Sequence, residues 1–131
     1  MSLYLGLFAG DTEIDGWVFG HYSDFGYFRD VVRAHVPASS APLLLGSSDC
    51  DAAFQPGQLS ELRAEIESVA TRFRALPPVH PEQAFEHNRE LWSQATTLYD
   101  CFHNVDGENV FEALITLCQE GNARGLPRLF Q

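Results

Sequence analysis

The 131-residue chain is 45% hydrophobic and carries 18 Asp and Glu against 8 positive residues, for a formal net charge of -10. That length suits a single domain over 1–131, able to bury roughly two-thirds of the surface its unfolded form exposes. The acidity opposes binding to phosphate backbones, and because every positive residue is Arg, Schiff-base chemistry and a phosphate-loop lysine are excluded.

In chain order, Leu3-Tyr4-Leu5-Gly6-Leu7-Phe8 is apolar throughout, which predicts a strand inside a sheet and covered on both faces. Turn chemistry over 10–16 and the strand formers Trp17-Val18-Phe19 predict a hairpin joining residues 3–9 with 16–20, its tip carrying Asp11, Glu13 and Asp15. Ser23 is the expected N-cap of a first helix over about 24–35, with Phe25, Phe28, Val32 and Val36 at helical steps and Pro37 as its stop.

The apolar run Pro42-Leu43-Leu44-Leu45-Gly46 reads as a central buried strand. The acidic corner Ser47-Ser48-Asp49-Cys50-Asp51 follows it. Pro56 suits a first helical turn, and Leu59, Leu62, Ile66, Val69, Phe73 and Leu76 step by 3, 4, 3, 4 and 3, predicting a long amphipathic helix that anchors the core. Beyond the Pro77-Pro78 connector, residues 82–95 have the composition of a surface helix, and 97–105 are rich in strand formers up to the Asp106-Gly107 turn. Val110, Phe111, Leu114, Leu117 and Cys118 give a last helical stripe, and Pro127 to Gln131 reads as an edge strand.

Alternation of strand and helix predicts an α/β domain, a mixed β-sheet of four to five strands with about four helices packed on it. An α+β arrangement with helices on one face is the rival. Three cysteines, with no Cys-x-x-Cys pair, point to a reducing cytoplasm rather than a disulfide framework or a zinc site. No signal-like N-terminus and no bilayer-length apolar stretch occurs, so neither membrane nor nucleic acid is an expected partner, and no cofactor is expected.

Motifs for nucleotide binding, serine hydrolysis and EF-hand calcium are all missing. Cys50 sits between Asp49 and Asp51, whose charge raises a thiol's pKa and makes it a poor nucleophile. A small metal- or thiol-dependent enzyme centred on Asp49, Cys50, Asp51 and His103 is one alternative to an inhibitor that acts by binding, and an unrelated protein-interaction domain is the other. The signal that survives is carboxylates on loops: Asp11, Glu13 and Asp15; Asp49 and Asp51; Asp100, Asp106 and Glu108. Such clusters suit recognition of a basic partner. Trp17, Tyr22, Phe54 and Trp92 are candidate aromatic anchors, although core positions suit them better.

Four segments carry a resemblance: Tyr22-Ser23-Asp24-Phe25-Gly26-Tyr27-Phe28-Arg29-Asp30; Ser48-Asp49-Cys50-Asp51; residues 98–108, with Tyr99-Asp100-Cys101-Phe102-His103 and Asn104-Val105-Asp106-Gly107-Glu108; and 124–131, ending Leu126-Pro127-Arg128-Leu129-Phe130-Gln131. In this order they resemble the bacterial immunity protein 70 family. The resemblance implies a cytoplasmic inhibitor, not an enzyme, that neutralises a cognate toxin domain of a polymorphic toxin system by binding it, a basic nuclease being one such toxin. It also marks Asp49, Cys50, Asp51, Tyr99 and Asp100 as family-like positions. After Asp51 this chain has Ala52-Ala53-Phe54 where the family pattern has glycine, an acidic residue and tryptophan.

Overall fold

A computed structural model describes residues 2–9, 12–37, 41, 42, 45, 52–54, 56–79, 85, 88–124 and 128–130. Its elements in order are β1 (Ser2–Ala9), β2 (Thr12–His21), α1 (Tyr22–His35), β3 (Ala52–Phe54), α2 (Pro56–Arg74), α3 (Arg89–Ser93), a 3-10 helix (Leu98–Cys101), α4 (Val110–Arg124) and β4 (Arg128–Phe130).

The substantial part of the sheet is the antiparallel β1–β2 hairpin, with Leu5 opposite Trp17 and Leu7 opposite Asp15. Two three-residue pairings, β1 with β4 and β4 with β3, extend it in the order β2-β1-β4-β3. Every pairing among the described strands is antiparallel. The mixed α/β sheet expected from alternation is therefore replaced by an α+β arrangement with four helices among the described residues. β1 and β2 pair as a hairpin, and β3 and β4 pair antiparallel although α2, α3 and α4 lie between them in the chain, so no strand–helix–strand unit there sets parallel neighbours. β4 lies between β1 and β3 and is not the predicted edge; Pro127 precedes the strand and so removes no ladder donor from it.

Leu3, Leu5 and Leu7 are fully buried, as are Phe19 on β2 and Phe25 and Phe28 on α1, while Tyr4 on the opposite face of β1 is half-buried. The hairpin begins its second strand at Thr12, so Glu13 and Asp15 belong to β2 and not to a turn. At Gly16 the Tyr4 hydroxyl and the Glu13 carboxylate pass close over the backbone, so a Cβ there would displace the tips of these two side chains.

Helix α1 starts two residues earlier than its apolar spacing predicts, with His21 rather than Ser23 at the N-cap. The cause is Asp24. Its buried carboxylate accepts from His21 N–H at 2.8 Å through one oxygen and from Phe85 N–H at 2.8 Å through the other. One side chain thus caps a helix and ties in a residue 61 positions away, which matters because Phe85 is buried with φ of 54°, a backbone state that costs a branched or bulky side chain energy. Trp92 Nε1 donates to the Phe85 carbonyl at 3.0 Å and completes the clamp.

Helix α2 fulfils the 3–4 stripe: Leu59, Leu62, Ile66, Val69 and Phe73 are all fully buried, and Leu76 packs on the core just beyond its end. Phe73 meets Phe111 of α4 at 5.4 Å between ring centroids, and Phe102 joins Phe28 at 5.1 Å and Phe85 at 5.2 Å in edge-on contacts. Such geometries suit aromatic quadrupoles better than face-to-face stacks. The centre of the molecule is thus a phenylalanine cluster drawn from the hairpin, three of the helices and the connecting segments.

At the described residues, two expected strands are not formed. Pro42 and Leu45 are helical, and Leu45 N–H donates to Ala41 O at 3.0 Å, so the supposed central strand contains a helical turn at its described residues. A short apolar run has no period with which to separate buried strand from buried helix. Residues 97–105 form a 3-10 turn and an isolated bridge between His103 and Asn109 in place of a strand. Side chain–backbone bonds won over strand propensity: Asn88 Nδ2 reaches the carbonyls of His103 and Asn104 at 2.7 and 2.9 Å, and Asn109 Nδ2 reaches Tyr99 O at 3.1 Å. Of the predicted helix over 82–95, α3 supplies Arg89–Ser93, and Trp92 within it is buried.

Candidate acidic cleft

Beside β2 lies a cleft of about 720 Å³. Its walls are the Asp15–Trp17 stretch of β2, the 3-10 helix at Tyr99 and Asp100, the segment 103–109 and the first turns of α4. Five carboxylates line it, from Asp15, Asp100, Asp106, Glu108 and Glu112, and no Arg is among its lining residues.

The segment bearing Asp106 and Glu108 is built from one buried residue. Asn104 Oδ1 accepts from the N–H groups of Asp106 and Glu108, both at 3.0 Å, and Asn104 Nδ2 donates to Glu108 Oε1 at 3.0 Å. Backbone bonds from Asn104 N–H to Glu108 O and from Gly107 N–H to Asn104 O close the turn, and Gly107 takes the left-handed φ of 81° that the turn needs. Val105 N–H donates to Val18 O at 3.3 Å, which pins the turn to the outer edge of β2 and covers part of an otherwise open strand edge. Asn109 then caps α4, accepting from Phe111 N–H at 2.9 Å and from Glu112 N–H at 3.3 Å. Glu112 is thereby set in the first turn of α4, where the helix dipole favours an acid.

The opposite wall is equally fixed. Tyr99 stacks on Phe111 at 5.1 Å with the rings 13° apart, and the Arg74 guanidinium lies 4.2 Å from the Tyr99 ring centroid. Asp100 Oδ2 accepts from Thr97 Oγ1 at 3.3 Å. A partner entering the cleft therefore meets groups already in place, so little ordering entropy is lost on contact.

His103 is the one titratable base of the lining. Burial pushes its imidazole below the usual histidine range, against the pull of the Asp100 and Glu112 charges, and its Nδ1 is enclosed with no hydrogen-bond partner among the described residues. Farther along α4, a hydrogen bond with Asp15 raises the Glu120 carboxyl above its ordinary value, with minor burial and Coulombic contributions, while Arg124 at 3.4 Å opposes the rise. The Cys101 thiol is pushed up, first by burial, and sits 3.5 Å from both Val79 O and Thr97 O, an unreactive setting.

Of the residues singled out in the sequence, the fold brings Asp15, Asp100, Asp106 and Glu108 together although up to 93 positions separate them in the chain. Glu13 is exposed and is not part of the cleft lining. Asp11, Asp49, Cys50 and Asp51 lie outside the described residues, as does the whole acidic corner 47–51 that precedes β3. Among the described residues no three His, Cys, Asp or Glu side chains are placed to share a metal, and the titratable groups that line the cleft with His103 are five carboxylates and the Tyr99 phenol. Glu112 was missed because it reads as an ordinary first-turn acid; its spacing of four from Glu108 was the available signal. Trp17 and Trp92, considered as anchors, are core residues, and Tyr22 is half-buried.

A family model described as Immunity protein 70 matches residues 11–128, nearly the whole chain and all of the cleft. The chain belongs to the Immunity protein 70 family. Membership makes it an immunity protein of a toxin system, with a cognate toxin as its partner, in a family that is generally non-enzymatic. No curated protein and no solved structure gives a significant match. Among the described residues, no helix of this Immunity protein 70 member is long and apolar enough to cross a membrane.

Proposed function

We propose that this chain neutralises its cognate toxin by occlusion in the cytoplasm, offering the cleft beside β2 to a basic face of the toxin. One observation carries the reading: carboxylates from a strand, a 3-10 helix, a pinned turn and a helix N-terminus converge on one concavity with no cation among its lining residues. Concentrating like charge in that way costs stability through self-repulsion, and an arriving cation relieves it. A nuclease suits this partner role, because the surface with which it holds phosphate is itself basic. No turnover is involved; the inhibitor works for as long as it stays bound.

Electrostatic complementarity of this kind acts mainly on the association rate and fades as salt rises, the Debye length being about 8 Å at physiological ionic strength. The test is co-expression of this chain with the toxin encoded beside it. Growth is restored if the reading holds. Continued killing with both proteins soluble overturns it.

A further inference from the structure

Two large apolar side chains stand exposed among the described residues, Leu91 at 39% and Val105 at 44% of their full surface. Neither is at random. Val105 is in the hydrogen-bonded turn that carries Asp106 and Glu108, and Leu91 Cδ1 lies 3.9 Å from where a Cβ on Gly107 of that same turn would stand. Asn88, at the N-cap of the short helix bearing Leu91, donates to the carbonyls of His103 and Asn104 and so holds α3 against the turn. The exposed apolar surface and the rim of the acidic cleft are thus one rigid piece of structure.

We infer that this piece is the docking surface itself. Leu91 and Val105 bury against an apolar border of the toxin, while an Arg or Lys side chain from the centre of its basic face enters the cleft toward Asp15, Asp100 and Glu112. The occupant is set by charge complementarity: a second copy of this chain, at net charge -10, brings the same sign to the same place. An apolar patch bordered by polar and charged groups is also the general anatomy of a protein interface. The turn gains affinity for the contact by being ordered beforehand.

This inference rests on the immunity reading, and the experiment separates the two. Binding of the toxin domain encoded beside this gene to the full chain is measured by surface-immobilised kinetics, with thermal melting of each variant alongside. Leu91→Ser with Val105→Ser is expected to weaken binding about tenfold or more, chiefly by faster dissociation, with an unchanged Tm. Val105→Thr, which keeps side-chain volume and fold, is expected to give a smaller loss in the same direction. Glu112→Gln is expected to slow association and flatten its salt dependence. Wild-type kinetics in all these variants overturn the docking surface and leave the immunity reading standing. A toxin that does not bind the wild-type chain overturns both.

Discussion

His103 shows how one residue's environment becomes a pH dependence. Its folded-state pKa is lowered by burial, so the neutral imidazole is the form the fold favours. The sign follows from linkage: the associated stability is fully present above the unfolded value of about 6.5 and is lost as pH falls through the lower folded value. Wild-type protein should therefore lose stability relative to His103→Gln as pH falls from neutral through the histidine range, read as a drop in the wild-type melting temperature measured against the variant's. A gap that stays constant with pH removes the burial argument. Asp100 and Glu112 set the limit of the effect, since their charges favour the imidazolium and hold the pKa from falling further.

Asn104 was legible as part of a turn but not as its keystone. The Asn-x-Asp-Gly-Glu pattern announces a reversal at the end of the strand expected over 97–105. What it could not announce is that Asn104 is fully buried and spends its amide on the two acids after it. Burial is a property of the neighbours, here Asn88 and the β2 edge, and neighbours distant in sequence leave no local trace.

At the level of elements, α2 is the packing anchor that its spacing predicted. Phe73 is fully buried and touches rings from α1, α4 and the 102 segment, so Phe73→Ala removes contacts that no flexible neighbour replaces. A loss of about 3–5 kcal/mol is expected in a denaturant titration, a large share of the roughly 5–15 kcal/mol that holds such a domain. Leu62→Asp should prevent folding altogether, because it places an unpaired charge among apolar side chains. A cooperative transition at the wild-type midpoint in either variant removes α2 from the core.

The elements that sequence reading misassigned share a cause. Residues 42–46 and 97–105 are short, apolar or rich in β formers, and lack a sustained period, so propensity was the main guide. In both places local hydrogen bonding chose a helical turn instead. By contrast, α1, α2 and α4 each present at least two turns of apolar period, and β1 and β2 flank a stretch of turn chemistry, and each lies within a few residues of its expected place.

For the whole molecule, net charge and its distribution decide the response to salt. A formal charge of -10, with five carboxylates on one cleft, leaves repulsion in the folded state that mobile ions screen. Raising NaCl from about 10 mM to 150 mM, which shortens the Debye length from about 30 Å to 8 Å, should raise the melting temperature. An unchanged or lower value argues that the cleft carboxylates are compensated within the fold. The same change in salt should slow association with a basic toxin, so stability and binding rate are expected to move in opposite directions.

The sequence by itself determined the hairpin, the three long helices, the acidic character and the family, because hydrophobic period, turn residues and charge count are local or summed quantities. Only the tertiary structure decided that the sheet pairs antiparallel throughout, that Asp24 clamps Phe85, and that Asp15 of a strand joins Asp100, Asp106, Glu108 and Glu112 in one cleft. A cleft is a meeting of side chains on separate elements. Its existence depends on how a core of phenylalanines brings those elements together, and one-dimensional patterns do not encode that packing residue by residue.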